Sequence, residues 1–344
     1  MKRIALDVMG GDYGIDAAIP GLNHFVSSND CSEIAFDLFG DEKKITKRLN
    51  EFPKLRGRSC IHKIHNTGEK VILGGEKPTN AIRQGRGTSL FEAVSIVSKG
   101  EADAVVSSGN TGAYMALAKF LIGTVESIDR PALISVLPNI NGNTVMLDLG
   151  ANTDCNSTKL IQFALMGQAV AKILLKMHAP KVGLLNIGTE PSKGTKPLEE
   201  AYKFLKESKN MNFIGFVEGT DITNGTVDIV VTDGFSGNVS LKTMEGTAKY
   251  ISHFLNEGFR SSIKTKIGYL LCRDVFKSLK SSINPQTHNG APFVGLKKVV
   301  IKSHGASNYI GFSHAISVAI DFAKSEFIKN IEDSLLEMKA RASL

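Results

Sequence analysis

Residues 103–113 read DAVVSSGNTGA, and this stretch sets the fold class. A β-rich run at residues 103–106 leads into small polar residues around Gly109 and Gly112, and the sequence AYMALAKFLIG that follows has a helical pattern. A strand that feeds a Gly-containing turn and then a helix places free backbone N–H groups at the helix start, where α/β proteins bind anions. No Gly-Lys-Ser/Thr ending follows, which excludes a nucleotide-binding P-loop.

The same pattern of a strand and a polar turn recurs along the chain. It is found in RIALDVMGGD, SEIAFDLFGD, ALISVLPN, TVMLDLGAN, KVGLLNIGTE, VDIVVTDGFSGN and KKVVIKSHGAS. Helical patterns such as LIQFALMGQAVAKILLKM and KPLEEAYKFLKES lie between several of these strands. Strand–helix alternation predicts an α/β fold with a mainly parallel sheet. Nearly continuous apolar strands such as VDIVV indicate burial on both faces of that sheet.

Six polar turns directly follow predicted strands, at residues 7–12, 107–112, 148–152, 186–190, 233–238 and 304–307. Open parallel sheets bind their ligands beyond the carboxyl ends of the strands. We therefore expect the six turns to form one cleft along one sheet edge. The alternative is that Gly, Asn, Asp and Ser are simply good turn formers, which explains any single turn better than it explains all six.

Composition limits the class of protein. The 344 residues suffice for one large domain or two ordinary ones, and because no low-complexity linker marks a boundary we predict a single domain over residues 1–344. The four cysteines are widely scattered, which argues against a disulfide framework or a zinc site and favours a cytosolic protein. We expect neither a signal peptide nor a membrane span. The net charge of +7 favours an anionic partner: nucleic acid, phosphate, an acidic protein or an anionic lipid surface.

Residues 249–283 differ in character from the rest of the chain. Apolar side chains recur there every three or four positions, which predicts helix, and Gly258 and Gly268 are candidate breaks between two helices. The basic residues of this segment include Lys249, Arg260, Lys264, Lys266, Arg273 and Lys277. A basic amphipathic helical insertion indicates a membrane surface or an acidic protein partner. A packed helix with a solvated basic face, or a subunit interface, explains the pattern equally well.

Individual residues in the turns suggest chemistry. Arg83, in the Gly-rich stretch NAIRQGRGTSL, and Lys193, three residues after Glu190, are candidate phosphate ligands or ordinary surface cations. Asp7 is either a buried carboxylate that caps its turn or a functional group. His304 is the only histidine within the six turns and is a candidate proton donor or oxyanion ligand. There is no G-x-G-x-x-G, no G-x-S-x-G and no metal-ligand spacing.

Taken together, the quoted strings resemble the bacterial phosphate acyltransferase family of phospholipid synthesis (PlsX). The strings are LDVMGGD, RQGRGTSL, GEADAVVSSGNTGA, RPAL, MLDLGAN, FALMG, LLNIGTE, VVTDGFSGNV, LKTMEG and SHGAS, and they run in order from residue 4 to about residue 320. The chain departs from the family's common SAGNTGA at Ser108. It also departs from GGAPLLG at Asn289, Phe293 and Val294.

The resemblance implies an enzyme that moves a long-chain fatty acyl group from acyl carrier protein onto inorganic phosphate. It implies a three-layer α/β/α sandwich related to phosphotransacetylases and isocitrate-type dehydrogenases, with a protruding helical hairpin. It also implies a homodimer in the cytoplasm that is peripherally associated with the inner face of the cell membrane. No cofactor and no nucleic acid are expected. The alternatives are a phosphotransacetylase that acts on short-chain acyl-CoA and a non-catalytic scaffold that binds the carrier protein or the membrane.

For this reaction we assign roles to the turn residues. The turn of Ser107, Ser108, Gly109, Asn110, Thr111 and Gly112 is expected to hold phosphate, with Arg83 or Lys193 neutralising its charge. His304 and Asn238 are expected to stabilise the oxyanion or the leaving sulfur, with Asp233 or Asp148 orienting them. The remaining polar turn residues expected to contact substrate are Asp12, Asn152, Asn186, Glu190 and Ser307.

Overall fold

The computed structural model describes residues 1–55, 60–70, 78–190, 192–276 and 289–342. The strands are β1 (Lys2–Asp7), β2 (Ile34–Gly40), β3 (Ile61–Asn66), β4 (Ala104–Ser107), β5 (Ala132–Asn139), β6 (Gly142–Leu147), β7 (Lys181–Leu185), β8 (Asn212–Val217), β9 (Ile229–Val231), β10 (Ala291–Val294) and β11 (Val299–Lys302). The helices are α1 (Ile15–Ser28), α2 (Glu42–Asn50), α3 (Pro78–Gln84), α4 (Ser89–Ser98), α5 (Thr111–Ile122), α6 (Ser157–Leu174), α7 (Lys196–Lys206), α8 (Gly219–Asn224), α9 (Gly234–Arg260), α10 (Ile263–Leu271), α11 (Tyr309–Lys324) and α12 (Phe327–Ala342).

The strands form one continuous sheet in the order β3-β2-β1-β4-β11-β10-β5-β6-β9-β7-β8. Neighbouring strands are parallel except at three pairs, β11–β10, β10–β5 and β5–β6. Interior parallel strands such as β4 and β9 are fully buried, because helices cover both faces of the sheet there. This confirms the predicted α/β class with a mainly parallel sheet.

Alternate residues of each strand face opposite layers of helices. In β1, Ile4 and Leu6 pack into one apolar cluster with α1 and α11, whereas Ala5 packs into another with α4 and α5. In β9, Ile229 and Val231 join the first cluster, and Val230 packs with α8 and α9 on the opposite face. The period of two along each strand therefore builds the predicted three-layer α/β/α sandwich.

The prediction that all six polar turns lie along one sheet edge is wrong. β1, β4 and β11 run parallel to one another, as do β6, β9 and β7, but three successive antiparallel pairings reverse the second set relative to the first. The turns thus fall into two groups. We call the turns after β1, β4 and β11 the first group, and those after β6, β9 and β7 the second group.

Sheet twist changes the consequence of this reversal. Adjacent strands rotate by about 20–25°, so the five pairings from β4 to β9 rotate the strand direction by roughly 100–125°. The ends of the two sets of strands therefore no longer point in opposite directions. Lys242 and Glu245 of α9, which starts at the second group, are near enough to influence the pKa of His304 in the first group, which is consistent with this geometry.

Helices α9 and α10 form the helical hairpin predicted near residues 249–283. α9 is longer than expected, because it begins at Gly234 at the end of β9, and the chain reverses only at Ser261 and Ser262. Gly258 lies within α9 and Gly268 within α10, so neither ends a helix, contrary to the prediction. Residues 277–283, including Lys277, lie outside the described residues. None of the described helices is both long enough and apolar enough to cross a bilayer.

Two glycines of α9 provide a matched test of how closely the start of this helix packs against the end of β6. A Cβ atom at Gly237 would lie 2.0 Å from the Asp148 carbonyl oxygen, whereas one at Gly246 would have no neighbour within 4 Å. We expect Gly237→Ala to lower the free energy of unfolding by about 1–3 kcal/mol, because helix and strand end must separate. Gly246→Ala should raise it by about 0.5–1 kcal/mol, since alanine restricts the unfolded chain. Urea unfolding followed by circular dichroism measures both changes. Equal free energies of unfolding for the two variants would contradict the close packing of Gly237 against Asp148.

Candidate active site

Glycines lock the three turns of the first group together. A Cβ at Gly10 would lie 2.5 Å from Asp7 Oδ2 and 2.8 Å from the Gly109 nitrogen. Gly11 has a φ of +89°, and a Cβ there would lie 2.6 Å from Ser108 Cβ. The Asp12 N–H donates to the Gly305 carbonyl at 2.9 Å, which joins the turn after β1 to the turn after β11. The neighbouring order of β1, β4 and β11 in the sheet makes this contact possible.

The Asp7 side chain stabilises the first group of turns through buried hydrogen bonds. Its buried carboxylate accepts a hydrogen bond from Ser107 Oγ at 2.6 Å and one from the Met9 N–H at 3.2 Å. Ser107 Oγ in turn accepts from the Gly109 N–H at 2.9 Å. Burial raises the pKa of the Asp7 carboxyl, although these donors oppose the shift. Of the two interpretations of Asp7, the contacts favour the carboxylate that caps its turn, and the Ser107 hydroxyl is engaged in the same chain.

The turn after β4 ends at the start of α5. Asn110 caps this helix, because its Oδ1 accepts from the Ala113 N–H at 3.0 Å. Thr111 and Gly112 form the first turn and are partly exposed. The Ser108 hydroxyl is buried and has no hydrogen-bond partner among the described residues. The predicted phosphate turn therefore has an open helix start and one unsatisfied hydroxyl group.

Lys302, at the end of β11, is a residue that the sequence analysis missed. Only 6% of it is exposed, and its Nζ donates to the carbonyl oxygens of Ser108, at 3.3 Å, and Ser303. Burial lowers the pKa of Lys302 to about 8, against the opposing influence of Asp7 and Asp12. The available signal was a lysine that directly continues the apolar run VVI and precedes the SHGAS turn.

His304 lies at the rim of the first group. Its Nδ1 accepts from the Ala306 N–H at 3.2 Å, which leaves the proton of the neutral ring on Nε2. Loss of hydration on the inner side of this otherwise exposed ring, and then the nearby Lys242 ammonium, lower its pKa below the usual 6.5. At pH 7 His304 is therefore a neutral imidazole with an N–H donor at Nε2.

Asn289 supports the turn that carries His304. The buried Asn289 Nδ2 donates to Ser303 Oγ at 2.8 Å, and its Oδ1 accepts from the His304 N–H at 2.9 Å. Ser303 Oγ donates to Ser307 Oγ at 3.2 Å, and both serines are buried. Ser307, predicted to contact substrate, is thus part of the internal support of this turn. One departure from the common family sequence, Asn289, has the same structural role.

In the second group a buried carboxylate again organises the turn. Asp148 accepts from the N–H groups of Leu133 at 2.9 Å, Ala151 at 3.2 Å and Asn152 at 2.6 Å, and from Asn152 Nδ2 at 2.9 Å. Burial raises its pKa despite these donors. Asn152 Nδ2 also donates to the Pro131 carbonyl at 2.9 Å, and its Oδ1 is buried without a partner among the described residues.

Helix α9 joins the second group to the first. Asp233 caps it by accepting from the Ser236 N–H and Oγ, both at 2.8 Å. Asn238, Lys242 and Glu245 follow at the spacing of one helix face, and the exposed Asn238 lies over Gly150. Lys242 and Glu245 form an ion pair of 2.7 Å, and both are close enough to influence the pKa of His304. One face of α9 therefore spans the space between the two groups.

The remaining predicted residues form no hydrogen bond with the first group among the described residues, although α3, which carries Arg83, packs against α5. Asn186 Nδ2 donates to the carbonyls of Gly188 and Lys193, at 3.1 and 2.9 Å, and so shapes its own turn. Lys193 forms an ion pair of 2.9 Å with Glu190, and both are about half exposed. Arg83 is exposed on α3. Among the described residues, neither Lys193 nor Arg83 hydrogen-bonds to a residue of the first group.

Comparisons with known proteins identify the family of this chain. Residues 2–330 match the family described as Fatty acid synthesis protein. Proteins named Phosphate acyltransferase from Rhodospirillum rubrum and Erythrobacter litoralis are 43% and 44% identical to this chain. Each alignment covers 99% of this chain, and 96% and 95% of the two relatives.

Solved structures show the same fold in more distant proteins. A phosphotransacetylase from Streptococcus pyogenes superposes with a TM-score of 0.60 at 17% identity and covers 94% of both chains. A 4-hydroxythreonine-4-phosphate dehydrogenase from Klebsiella pneumoniae gives a TM-score of 0.54 at 11% identity over 94% of this chain and 100% of its own. These likenesses confirm the predicted fold relationship. The full-length sequence matches go further, and by them the chain belongs to the phosphate acyltransferase family and is an acyltransferase.

Proposed function

We propose that the protein transfers a long-chain fatty acyl group from the thioester of acyl carrier protein to inorganic phosphate, for phospholipid synthesis. The products are acyl-phosphate and free carrier protein. The observation that carries the proposal is the first group of turns, which combines an open helix start after β4 with the neutral imidazole of His304. The 43% identity to a named phosphate acyltransferase over almost the whole chain supports the same conclusion.

The reaction needs positioning more than it needs a strong base. Inorganic phosphate has a second pKa of about 7, so a large share of it is dianionic at neutral pH and already nucleophilic. Its oxygen forms the new bond to the carbonyl carbon, the C–S bond breaks, and the electron pair leaves with sulfur, whose thiol has a pKa of about 8.5. Holding both reactants in line contributes about 7–11 kcal/mol, and one oxyanion donor about 3–4 kcal/mol.

The described geometry suggests how roles are divided. Residues 108–112 receive phosphate at the start of α5, while His304 Nε2–H donates to the developing oxyanion from the rim. The exposed amide of Asn238, on the face of α9 that approaches His304, is a second donor. Asp148 and Asp233 act indirectly, because their oxygens are committed to the turn after β6 and to the start of α9. Asp12, next to Gly305, helps to close the turn after β11.

A covalent acyl-enzyme is not needed in this mechanism. Cys155 is buried next to the second group, its thiol donates to the Asn152 carbonyl at 3.6 Å, and burial raises its pKa to about 11. A thiol with such a pKa carries almost no thiolate at neutral pH and is a poor nucleophile. The Ser107 hydroxyl donates to Asp7 inside the turn. Phosphate itself is therefore the acceptor of the acyl group.

The α9–α10 hairpin supports a proposal about partners. Apolar side chains exposed along it include Tyr250, Phe254, Ile263, Ile267, Leu270 and Leu271. Basic side chains exposed on it include Arg260, Lys264, Lys266 and Arg273. Apolar and basic groups on one element suit an anionic membrane surface, and the basic groups also suit the acidic carrier protein. We place the protein in the cytoplasm at the inner face of the cell membrane, as a homodimer whose subunits meet through part of the same apolar surface.

The first experiment is release of free thiol from palmitoyl-acyl carrier protein by the purified protein. We expect release with phosphate, none with sulfate in its place, and acyl-phosphate that is trapped by hydroxylamine. Activity on acetyl-CoA but not on the carrier protein would instead indicate a phosphotransacetylase. Tight binding of the carrier protein without release would indicate a scaffold.

Replacing His304 tests the proposed oxyanion donor. We expect His304→Ala to lower kcat by about 10²- to 10³-fold and to leave the melting temperature unchanged. In the unaltered protein, kcat at saturating phosphate should be flat above pH 7 and fall as the pH drops through the lowered pKa of His304, because protonation of Nδ1 removes the acceptor of the Ala306 N–H and so releases the ring from its position. His178→Ala, at an exposed site after α6, is the control. Unchanged turnover in His304→Ala would remove this residue from the mechanism.

Charge placed on the hairpin tests its proposed contact with membranes. We expect Leu270→Glu with Leu271→Glu to reduce cosedimentation with phosphatidylglycerol-containing vesicles at least several-fold, because two carboxylates would face an anionic, apolar interface. Ile140→Glu, at a site 80% exposed in the β5–β6 turn, is the matched control. Light scattering reports the dimer separately. Unchanged vesicle binding would restrict the hairpin to protein partners.

A further inference from the structure

Lys302 is the one lysine or arginine among the buried polar residues that the structure describes. A buried ammonium is costly unless an anion or several acceptors compensate it. Within the described part of the chain, no carboxylate oxygen lies within 4.0 Å of Lys302 Nζ. Its two acceptors are the carbonyl oxygens of Ser108 and Ser303. An ammonium has three donors, so one N–H remains for another partner.

The position of this ammonium is set by the sheet. Lys302 pairs with Ser107 across β11 and β4, so its side chain rises at the strand ends where the phosphate turn begins. Its bond to the Ser108 carbonyl places the charge beside the residue whose hydroxyl is buried without a described partner. The same turn continues into α5, whose first backbone N–H groups carry partial positive charge. Three kinds of donor that suit an anion therefore lie in or beside this one turn.

Neither of the two cations predicted from the sequence is buried as Lys302 is. Lys193 is paired with Glu190 at 2.9 Å, and Arg83 is exposed on α3. We propose that Lys302 is the residue that binds the charge of inorganic phosphate, with the Ser108 hydroxyl and the start of α5 as its companions. This inference rests on the proposed function, because it assigns the phosphate subsite of that same reaction. In it, Lys302 contacts substrate and does not transfer a proton.

Four charged or titratable groups surround Lys302. They are Asp7 and Asp12 from the strand and turn of β1, Lys242 from α9 and His304 from the following turn. Burial holds the pKa of Lys302 near 8 in the free protein, and a bound dianion would raise it. The protonated form binds phosphate, so affinity is full below this pKa and is lost as the pH rises above it. His304, whose pKa is lowered below 6.5, does not titrate in that range.

A purely structural role is the competing explanation. In that case Lys302 would pin the ends of β4 and β11 together through the two carbonyls, and its loss would weaken the fold and every substrate site equally. A structural role would not change the affinity for phosphate selectively. It would also not make that affinity depend on pH near 8.

The test measures binding of inorganic phosphate by calorimetry, without any acyl donor. We expect Lys302→Met to weaken phosphate binding by about 10- to 100-fold, the effect of losing one charge-assisted hydrogen bond. Ser108→Ala should weaken it a few-fold. Lys297→Met, an exposed site just before the other end of β11, is the matched control and should bind like the unaltered protein. In thiol release, Lys302→Met should raise the KM for phosphate and leave the KM for the acyl donor unchanged.

The unaltered protein supplies a second measurement that does not depend on how the variant folds. Its Kd for phosphate should rise about tenfold between pH 7.5 and pH 9, because the protonated fraction of a group with a pKa near 8 falls by that factor. This dependence should be absent in Lys302→Met, if that variant folds. A Kd that is flat over this range, or normal phosphate binding by Lys302→Met, would overturn the inference and leave the acyltransfer proposal intact. Phosphate binding that depends on Lys302, without thiol release, would overturn the acyltransfer proposal instead.

Discussion

The site depends on two carboxylates buried at strand ends, because each one fixes the turn that follows it. Asp7 holds Ser107 and the nitrogen of Met9, and Asp148 holds the nitrogens of Leu133, Ala151 and Asn152. A carboxylate with several N–H and O–H donors fixes a turn more firmly than backbone bonds alone, and its burial is tolerated because these donors replace water. Both carboxylates thereby shape the site without facing its substrate.

Helix α9 links the first and second groups of turns, which follow strands of opposite direction in the sheet. Three antiparallel pairings reverse the strands of the second group, so strand direction alone would not bring the two sets of turns together. Twist reduces the opposition of the two strand directions, and α9, which starts at one group, carries Lys242 and Glu245 near enough to His304 of the other group to influence its pKa. The tight contact of Gly237 with the end of β6 fixes the direction of that helix.

The electrostatics of the first group follow from burial more than from the number of charges. Lys302 is buried and His304 is partly dehydrated, so the pKa of each is lowered. The lysine remains mostly cationic at neutral pH and the imidazole remains neutral, which gives one site a charge for an anion and an uncharged N–H donor at its rim. Exposed cations such as Lys193 pair with a neighbouring carboxylate and are hydrated by solvent, so they contribute little to the binding of an anion.

The sequence by itself determined the fold class, most strands and the polar turns, because these depend on near neighbours: apolar runs, glycines at strand ends and a helical period within residues 249–283. It also determined the family, and with it the chemistry. Only the tertiary structure decided the strand directions, since they depend on the short strand β10 with Pro292 and on pairings between distant segments, such as Ser107 with Lys302. The tertiary structure also decided which polar residues are buried and which are exposed. It buries Lys302, engages Ser107 and Ser307 inside their own turns, and leaves Lys193 paired with Glu190. A side chain's exposure depends on which remote segments pack over it, and no local pattern records that.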